Sequence, residues 1–344
     1  MTTTPLPVRP LGTTGMDISP VGLGAWSLGG SDWGPQDDAD SIATIHRAVA
    51  TGVNWIDTAA AYGLGHSEEV IGRALAGLPA AERPYLFTKC GVVPDPGGLR
   101  KVMTADSVRR ELEDSLRRLG VEHIDLYQVH WPGDGRLLAW GPVTEDPSAP
   151  VPGTPLEEYW QTMDDLRREG KVRAIGLSNH GVDELKRAAA VAPVDAVQPP
   201  FSALDRGAAD VLAWCDAHGV GALVYQSLKS GLLSGTFSAE RVAALPPTDW
   251  RRAAPDFTTG LAANLAVAEV LRTVARRHGA TVTAVAVAWA LAWPGVAGAI
   301  VGARRPGQVA DWPQAATLRL TAADLDEIAD GIRAQVPDPG PVRP

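Results

Sequence analysis

The sequence is poor in the residues that cross-link small secreted domains or hold metal ions. It contains only two cysteines, Cys90 and Cys215, and they lie far apart without the spacing of a metal site. The histidines other than His130 show no paired ligand spacing either. The first residues lack the apolar stretch of a signal peptide. We therefore expect a reduced, cytoplasmic protein without disulfides or a metal site.

The chain also lacks an excess of positive charge and an uninterrupted membrane span. Its formal net charge is −9 and no basic run occurs, which argues against nucleic acid as a partner. The uncharged stretch from Gly279 to Ala303 is divided by Pro294 and Gly295. It predicts a buried helix over about 282–292 followed by a strand over 298–301, and no membrane association.

Apolar strands alternate with amphipathic helices after an opening hairpin whose turn lies at Gly12–Gly15. Eight strands are predicted, near residues 21–23, 54–57, 86–88, 124–128, 172–176, 196–198, 221–224 and 299–301. Helices are predicted over 38–51, 67–76, 105–119, 156–169, 183–191, 208–218 and 264–278. This alternation favours a (β/α)₈ TIM barrel, formed as one domain over residues 1–344.

Two long proline-rich connections, over 133–155 and 237–260, each follow a predicted strand. We expect both at the C-terminal face of the barrel, as a lid or a pocket wall. A disordered insertion is the alternative for the second. Residues 336–344 are expected to form a mobile tail.

Four polar residues follow or end three successive predicted strands, within the segments NWIDTAAAYG, LFTKCG and LYQVHWP. They are Asp57, Tyr62, Lys89 and His130. A parallel barrel collects such strand-end residues on one face. Each alone has a structural explanation, such as a cap, a packing residue or a rim ion pair, but their coincidence predicts a catalytic site.

The quartet suits carbonyl reduction, which needs a hydride at carbon and a proton at oxygen. Tyrosine, with an ordinary pKa near 10, is protonated at neutral pH and can donate. The ammonium of Lys89 would stabilise the phenolate that forms, and Asp57 would hold Lys89 charged and in place. His130 could bind and orient the carbonyl oxygen.

These segments, together with GKVRAIGLSNH, VYQSLKSGLLSG and IVGARRPGQ, resemble the aldo-keto reductase superfamily over about residues 9–333. The later segments are most similar to the bacterial reductase branches and to the potassium-channel β-subunit branch. The resemblance implies a (β/α)₈ barrel that reduces aldehydes and ketones reversibly with NADPH, with NADH less favoured. It implies Tyr62 as the acid, with Lys89, Asp57 and His130 in the roles given above.

The resemblance also implies a set of cofactor contacts. They are Ser178, Asn179 and Gln198 for the nicotinamide carboxamide, Tyr225 for stacking on the ring, Gln226, Ser227, Leu228 and Ser230 for the pyrophosphate, and Gly302, Arg304, Arg305 and Gln308 near the 2′-phosphate. The usual asparagine of the last segment is absent, since Asp311 and Trp312 stand there, and Ser227 replaces a usual proline.

Several tryptophans are candidates for the substrate pocket, with core packing as the alternative for each. They are Trp26, Trp33 and Trp131, with Trp140 as a further wall. An aromatic, uncharged pocket suggests a neutral small-molecule carbonyl substrate. Two other functions stay open: a nicotinamide-binding regulatory subunit like the channel β subunits, and a lyase or isomerase that forms a Schiff base on Lys89. The oligomeric state does not follow from the sequence.

Overall fold

A closed barrel of eight parallel strands forms the centre of the structure, a computed structural model that describes residues 6–30, 33–138, 151–246, 249–336 and 340–344. Each strand pairs with its neighbours in chain order, and the last pairs with the first. The strands are β1 Val21–Gly24, β2 Trp55–Asp57, β3 Tyr85–Cys90, β4 Ile124–Val129, β5 Val172–Ser178, β6 Ala196–Gln198, β7 Gly221–Val224 and β8 Val296–Gly302. The predicted (β/α)₈ barrel is confirmed.

Helices surround the barrel and pack their apolar faces against the outward side chains of the strands. They are α1 Asp38–Ala50, α2 His66–Ala76, α3 Ala105–Leu119, α4 Leu156–Arg168, α5 Val182–Ala189, α6 Ala209–His218, α7 Ala239–Ala243, α8 Leu261–His278, α9 Val282–Leu291, α10 Trp312–Thr317 and α11 Ala322–Gln335. The ends of α3 show why its bounds could be predicted from the sequence. Thr104 caps its first turn by accepting from the N–H of Ser107, and Gly120 ends it at a φ of 68°.

The uncharged segment forms α9 and β8, as predicted. Every residue of α9 except Thr283 is buried, because the helix lies between the barrel and other helices rather than on the surface. In the part of the chain that the structure describes, no helix has the length and hydrophobicity needed to span a membrane.

The opening hairpin pairs Arg9–Pro10 with Asp17–Ile18 and closes the amino-terminal end of the barrel. Its side chains Leu11, Met16 and Ile18 pack against an inner layer of apolar residues that the strands contribute, namely Trp55, Phe87, Leu126, Ala174, Ala196, Leu223 and Ala297. Gly22 makes room for this layer, since a Cβ atom there would overlap the ring of Trp55. The polar residues of the strands lie one layer higher, toward the carboxyl ends.

The connections differ from the sequence expectation in several places. A second hairpin, Val92–Asp95 with Gly98–Lys101, follows β3 and was not predicted, because it is held by distant contacts rather than by strong alternation. The buried side chain of Arg100 binds Asp95 and the carbonyl of Gly135, which ties this hairpin to the start of the first long loop. Residues 139–150 of that loop, including Trp140, lie outside the described residues.

The second long loop contains α7 and two short 3₁₀ turns, Trp250–Arg252 and Pro255–Phe257, and its apolar residues form a small core of their own. The sequence also did not predict α11. At the end of the chain, Val342 is buried in the main core and Arg343 forms an ion pair with Asp326. Residues 337–339 lie outside the described residues, and the mobility expected over 336–344 stays a prediction.

Candidate functional site

The four residues singled out from the sequence meet at the carboxyl end of the barrel. Asp57 ends β2, Lys89 lies near the end of β3, and His130 follows β4. Tyr62 begins a short turn after β2. The ammonium nitrogen of Lys89 lies 2.5 Å from Asp57 Oδ1 and 3.4 Å from the hydroxyl oxygen of Tyr62. The ring of His130 meets the ring of Tyr62 edge to face at 5.6 Å.

Lys89 is 1% exposed and donates to three acceptors. Besides Asp57 and Tyr62, it donates to the carbonyl oxygen of Thr58 over 2.9 Å. Burial lowers the pKa of Lys89 below its ordinary value, and the charge and hydrogen bond of Asp57 oppose that shift. The paired arrangement therefore keeps a buried cation next to a half-buried phenol.

His130 lies deeper than Tyr62 and is neutral at physiological pH. Burial, reinforced by the charge of Lys89, lowers its pKa well below the ordinary value. Its backbone N–H donates to the carbonyl of Cys90, and its carbonyl accepts from the side chain of Asn179. Ring nitrogen Nδ1 is buried, and no partner for it lies among the described residues. A neutral imidazole in this place can still donate one hydrogen bond.

The other oxygen of Asp57 is held by two amides. Gln198 Nε2 lies 2.8 Å and Gln128 Nε2 lies 3.2 Å from Asp57 Oδ2. Gln198 was expected at the site from the sequence, whereas Gln128 was not. The signal was present, because Gln128 lies on β4 two residues before His130, which directly follows that strand, and extended chain points both side chains to the barrel interior.

Asn179 joins the site to β7. Its backbone adopts a φ of 62°, its Oδ1 accepts from the hydroxyl of Tyr225, and its Nδ2 donates to Ser178 Oγ as well as to His130. Ser178 Oγ donates to the carbonyl of Gln198. Burial raises the pKa of Tyr225, so that its hydroxyl stays protonated. The structure thus brings Ser178, Asn179, Gln198 and Tyr225 together beside His130.

The segment after β7 forms a cradle of backbone groups. Gln226 and Ser230 both have positive φ values, 59° and 54°, which residues other than glycine rarely adopt. Such turns point successive N–H groups to one side and form anion-binding concavities. Ser227 Oγ is buried there, and no partner for it lies among the described residues. A buried hydroxyl without a partner beside a backbone cradle fits a bound phosphate-containing cofactor. Leu228 is half-buried on the same segment.

The end of β8 and the loop after it contain residues whose cofactor contacts stay predictions. Gly302 and Gln308 are exposed, and Gln308 Oε1 accepts from the backbone N–H groups of Arg304 and Arg305. The guanidinium of Arg304, expected near a 2′-phosphate, instead donates to the carbonyls of Trp33 and Pro35 and to Gln36. Arg304 therefore fastens the loop after β1, and the exposed Arg305 is the arginine that faces solvent here.

Tryptophans line the opening above Tyr62. Trp26 lies 6.3 Å from the ring of Tyr62 and 5.1 Å from the ring of Trp33, measured between centroids. Trp33 also meets Trp250 at 5.8 Å and lies under the guanidinium of Arg251. Trp131 is half-buried next to His130. Trp250 was not among the tryptophans expected at the pocket, because its proximity to Trp33 depends on the tertiary fold.

Cys90, which follows Lys89, faces the opposite side of β3. Its buried thiol lies beside Met163, and burial raises its pKa well above the ordinary value. The thiol is therefore unreactive and takes no part in the site. No cluster of residues suited to hold a metal ion occurs within the described ranges.

Comparison with known proteins agrees with the fold and the motifs. The model of the "Aldo/keto reductase family" matches residues 20–332. The chain is 34% identical over 330 residues to aldo-keto reductase YhdN of Bacillus subtilis, covering 95% of this chain and 93% of that protein. It is 32% identical over 341 residues to the NADH-specific methylglyoxal reductase of Escherichia coli, covering 94% and 98%.

Among solved structures, the glycerol dehydrogenase AKR11B4 from Gluconobacter oxydans superposes with a TM-score of 0.81. Its sequence is 34% identical, and the match covers 100% of this chain and 99% of that one. The match extends over the whole barrel and its connections, so it concerns the complete fold and not one motif. This chain is therefore a member of the aldo/keto reductase family, a nicotinamide-dependent oxidoreductase that acts on carbonyl groups.

Proposed function

We propose that this protein is an NADPH-dependent reductase that converts aldehydes or ketones to alcohols reversibly, with Tyr62 as the proton donor. The observation that carries the proposal is the buried chain from Asp57 through Lys89 to the hydroxyl of Tyr62. When bound, the reduced nicotinamide supplies a hydride to the carbonyl carbon. The protein must then supply a proton to the carbonyl oxygen.

Tyr62 provides that proton, and Lys89 makes the transfer easier. A cation 3.4 Å from the phenol oxygen stabilises the phenolate more than the phenol. Asp57 keeps Lys89 charged against the cost of burial. His130 is neutral and orients the carbonyl oxygen by donating a hydrogen bond to it. In the oxidation direction, the phenolate of Tyr62 accepts the proton of the alcohol.

Asn179 and three residues around it would hold the nicotinamide end, namely Ser178, Gln198 and Tyr225. The cradle of Gln226, Ser227, Leu228 and Ser230 would hold the pyrophosphate, which the unpartnered hydroxyl of Ser227 supports. Gly302 and Gln308 would border the adenosine end. We assign the 2′-phosphate contact to Arg305, because Arg304 is engaged with the loop after β1.

The preference for NADPH over NADH is part of the proposal. A relative in Escherichia coli is named as NADH-specific, so the family membership leaves either cofactor open. The exposed guanidinium of Arg305 favours NADPH, since arginine recognises phosphate groups well.

A neutral small carbonyl compound is the substrate that the opening suits best. Trp26, Trp33 and Trp131 form its walls in this proposal. Two similar proteins are named for methylglyoxal and glycerol, which are both small and uncharged. A reduced cytoplasmic location is expected from the two buried, unpaired cysteines.

The test is steady-state consumption of NADPH and of NADH with a panel of aldehydes and ketones. We expect turnover with neutral carbonyls, and loss of turnover by about a thousandfold in Tyr62→Phe while NADPH binding is retained. Absence of turnover with every carbonyl would overturn the proposal. Borohydride trapping of a carbonyl on Lys89 would do so as well, although the three acceptors that bind its ammonium oppose a Schiff base.

A further inference from the structure

Gln128 belongs to a buried polar layer with Asp57, Lys89 and Gln198, but the proposed reaction gives it no role. Its side chain is fully buried, and its Nε2 donates to Asp57 Oδ2 over 3.2 Å. Gln198 donates to the same oxygen over 2.8 Å and also to Gln128 Oε1 over 3.1 Å. The two amides and the carboxylate therefore form a closed triangle of hydrogen bonds.

The chemistry of the groups fixes the direction of each bond in this triangle. A carboxylate bound to Lys89 is ionised and only accepts, so both amides must turn their NH₂ groups toward Asp57. The oxygen of Gln128 then faces Gln198 and accepts its second N–H. Both hydrogens on the amide nitrogen of Gln198 are thereby used inside the protein. Its carbonyl oxygen Oε1 is the part of the amide left to meet a ligand.

The fold makes space for Gln128 in this position. Gln128 is in register with Gly176 on the neighbouring strand β5. A Cβ atom on Gly176 would lie 3.1 Å from Cγ of Gln128 and 3.0 Å from the carbonyl oxygen of Ala196. Those contacts are tighter than ordinary van der Waals packing. The glycine therefore leaves the room in which the stem of Gln128 lies against β5.

We propose that Gln128 is a positioning residue that sets the polarity of Gln198 toward the cofactor. By accepting the second hydrogen of Gln198, it makes that amide present an acceptor, and this acceptor receives the N–H of the nicotinamide carboxamide. This rests on the proposed function, in which Gln198 contacts the carboxamide. Gln128 also gives Asp57 a neutral donor and so supports the ionised carboxylate next to Lys89.

The experiment compares two oxidised cofactors by quenching of tryptophan fluorescence. One is NADP⁺, and the other is its 3-acetylpyridine analogue, in which a methyl ketone replaces the carboxamide and so retains the carbonyl but lacks the N–H. The parent protein is expected to bind the analogue about tenfold more weakly, the loss typical of one buried hydrogen bond.

Gln128→Met keeps the length of the side chain but has no polar atom. It frees one N–H of Gln198, so that amide can offer either a hydrogen or an oxygen, and the ratio of the two dissociation constants should fall to about two or less. Gln128→Glu still offers Gln198 an acceptor. Its ratio should stay near that of the parent, while turnover falls because a second carboxylate lies beside Asp57.

Tyr127→Phe is the matched control. Tyr127 is a buried neighbour on the same strand, but it faces the surrounding helices, where its hydroxyl donates to the carbonyl of Val108. The ratio of the two dissociation constants should equal that of the parent, because a structural disturbance of β4 alone should weaken the binding of both cofactors equally.

Three outcomes would overturn the inference while the proposed function stands. They are a parent protein that binds both compounds equally, a Gln128→Met variant with the ratio of the parent, and a Gln128→Glu variant whose ratio collapses. A parent protein that binds neither compound would instead contradict the proposed function, and the inference with it. If Gln128→Met does not fold, a collapsed ratio in Gln128→Glu still overturns the inference, because an acceptor at this position should preserve the ratio.

Discussion

The ammonium nitrogen of Lys89 lies 2.5 Å from a carboxylate oxygen of Asp57, and the two residues are 1% and 3% exposed. A pair so deeply buried gives up the hydration of both charges. Its retention is explained by the donors and acceptors around it. The carbonyl of Thr58 and the hydroxyl of Tyr62 accept from the ammonium of Lys89. The amides of Gln128 and Gln198 donate to the carboxylate of Asp57. Both charged groups of the ion pair thus have further hydrogen-bonding partners inside the barrel.

Removing one member of this pair should destabilise the protein strongly. Asp57→Asn leaves the buried ammonium of Lys89 without its counter-charge, and we expect a loss of about 3–5 kcal/mol in the free energy of unfolding. The double variant Asp57→Asn/Lys89→Met should recover part of that loss without recovering turnover. Urea unfolding measures both.

The exposed pair of Arg117 and Asp114 on α3 provides the control for this prediction. Asp114→Asn should change the free energy of unfolding by less than about 1 kcal/mol, because solvent screens that pair. An equally small effect of Asp57→Asn would contradict the assignment of a tightly coupled buried pair.

Glu111 should make the protein less stable as the pH rises. Burial raises the pKa of this carboxyl to about 7, although the N–H of Gly91 and the hydroxyl of Ser107 donate to it. Between its ordinary value of 4.5 and 7 the folded state holds a proton that the unfolded state has lost. The free energy of unfolding therefore decreases as the pH rises through that window, by about 3 kcal/mol at most for this group.

Glu111→Gln should remove that dependence, because an amide does not ionise. Denaturant titrations at several pH values between 4.5 and 8 would show the difference between parent and variant changing with pH. Glu113→Gln is the control, since Glu113 lies on the same helix but is exposed and pairs with Lys171. A difference that stays constant over the pH range would mean that Glu111 does not titrate as described.

The neighbouring arginines after β8 should have separable effects. Arg304→Ala removes the bonds to Trp33, Pro35 and Gln36, so we expect a higher KM for the carbonyl substrate and lower stability. Arg305→Ala should instead raise the Kd for NADPH about tenfold or more and leave NADH binding unchanged. Fluorescence titrations with both cofactors and substrate kinetics measure these effects. The reverse pattern would return the phosphate contact to Arg304.

Asn179 should tolerate glycine better than alanine. Both substitutions remove the side-chain bonds to His130, Ser178 and Tyr225, but only alanine places a Cβ in the left-handed backbone region, where φ is 62°. We expect Asn179→Ala to be less stable than Asn179→Gly by about 1 kcal/mol. Thermal unfolding of the two variants tests this, and equal stability would show that the loop relaxes.

Much of the fold was predictable because the chain alternates regular elements with clear start and stop residues. Thr104 and Gly120 mark both ends of α3, and Pro294 and Gly295 separate α9 from β8. Asp57, Lys89 and His130 were predictable for a similar reason, since residues at the ends of parallel strands share one face. Their proximity to Tyr62 follows from the short turn after β2.

The remainder depends on contacts between distant segments, which local patterns do not encode. Arg304 was expected near a phosphate, yet its guanidinium binds carbonyls about 270 residues away in sequence. Trp250 reaches Trp33 only because a long loop folds back over the barrel. Gln128 lies within the segment LYQVHWP, but its contacts with Asp57 and Gln198 depend on strands that are distant in sequence.

The apolar plug beneath the polar layer governs how Tyr62 recovers the hydrogen it donates in the proposed reaction. Leu11, Met16 and Ile18, together with Trp55 and Phe87, seal the barrel floor with side chains that carry no ionisable group. The proton that restores the phenol must then enter through the opening at the carboxyl end of the barrel, which also admits the substrate. Reprotonation of Tyr62 and the exchange of product for substrate therefore use one opening and are coupled to each other.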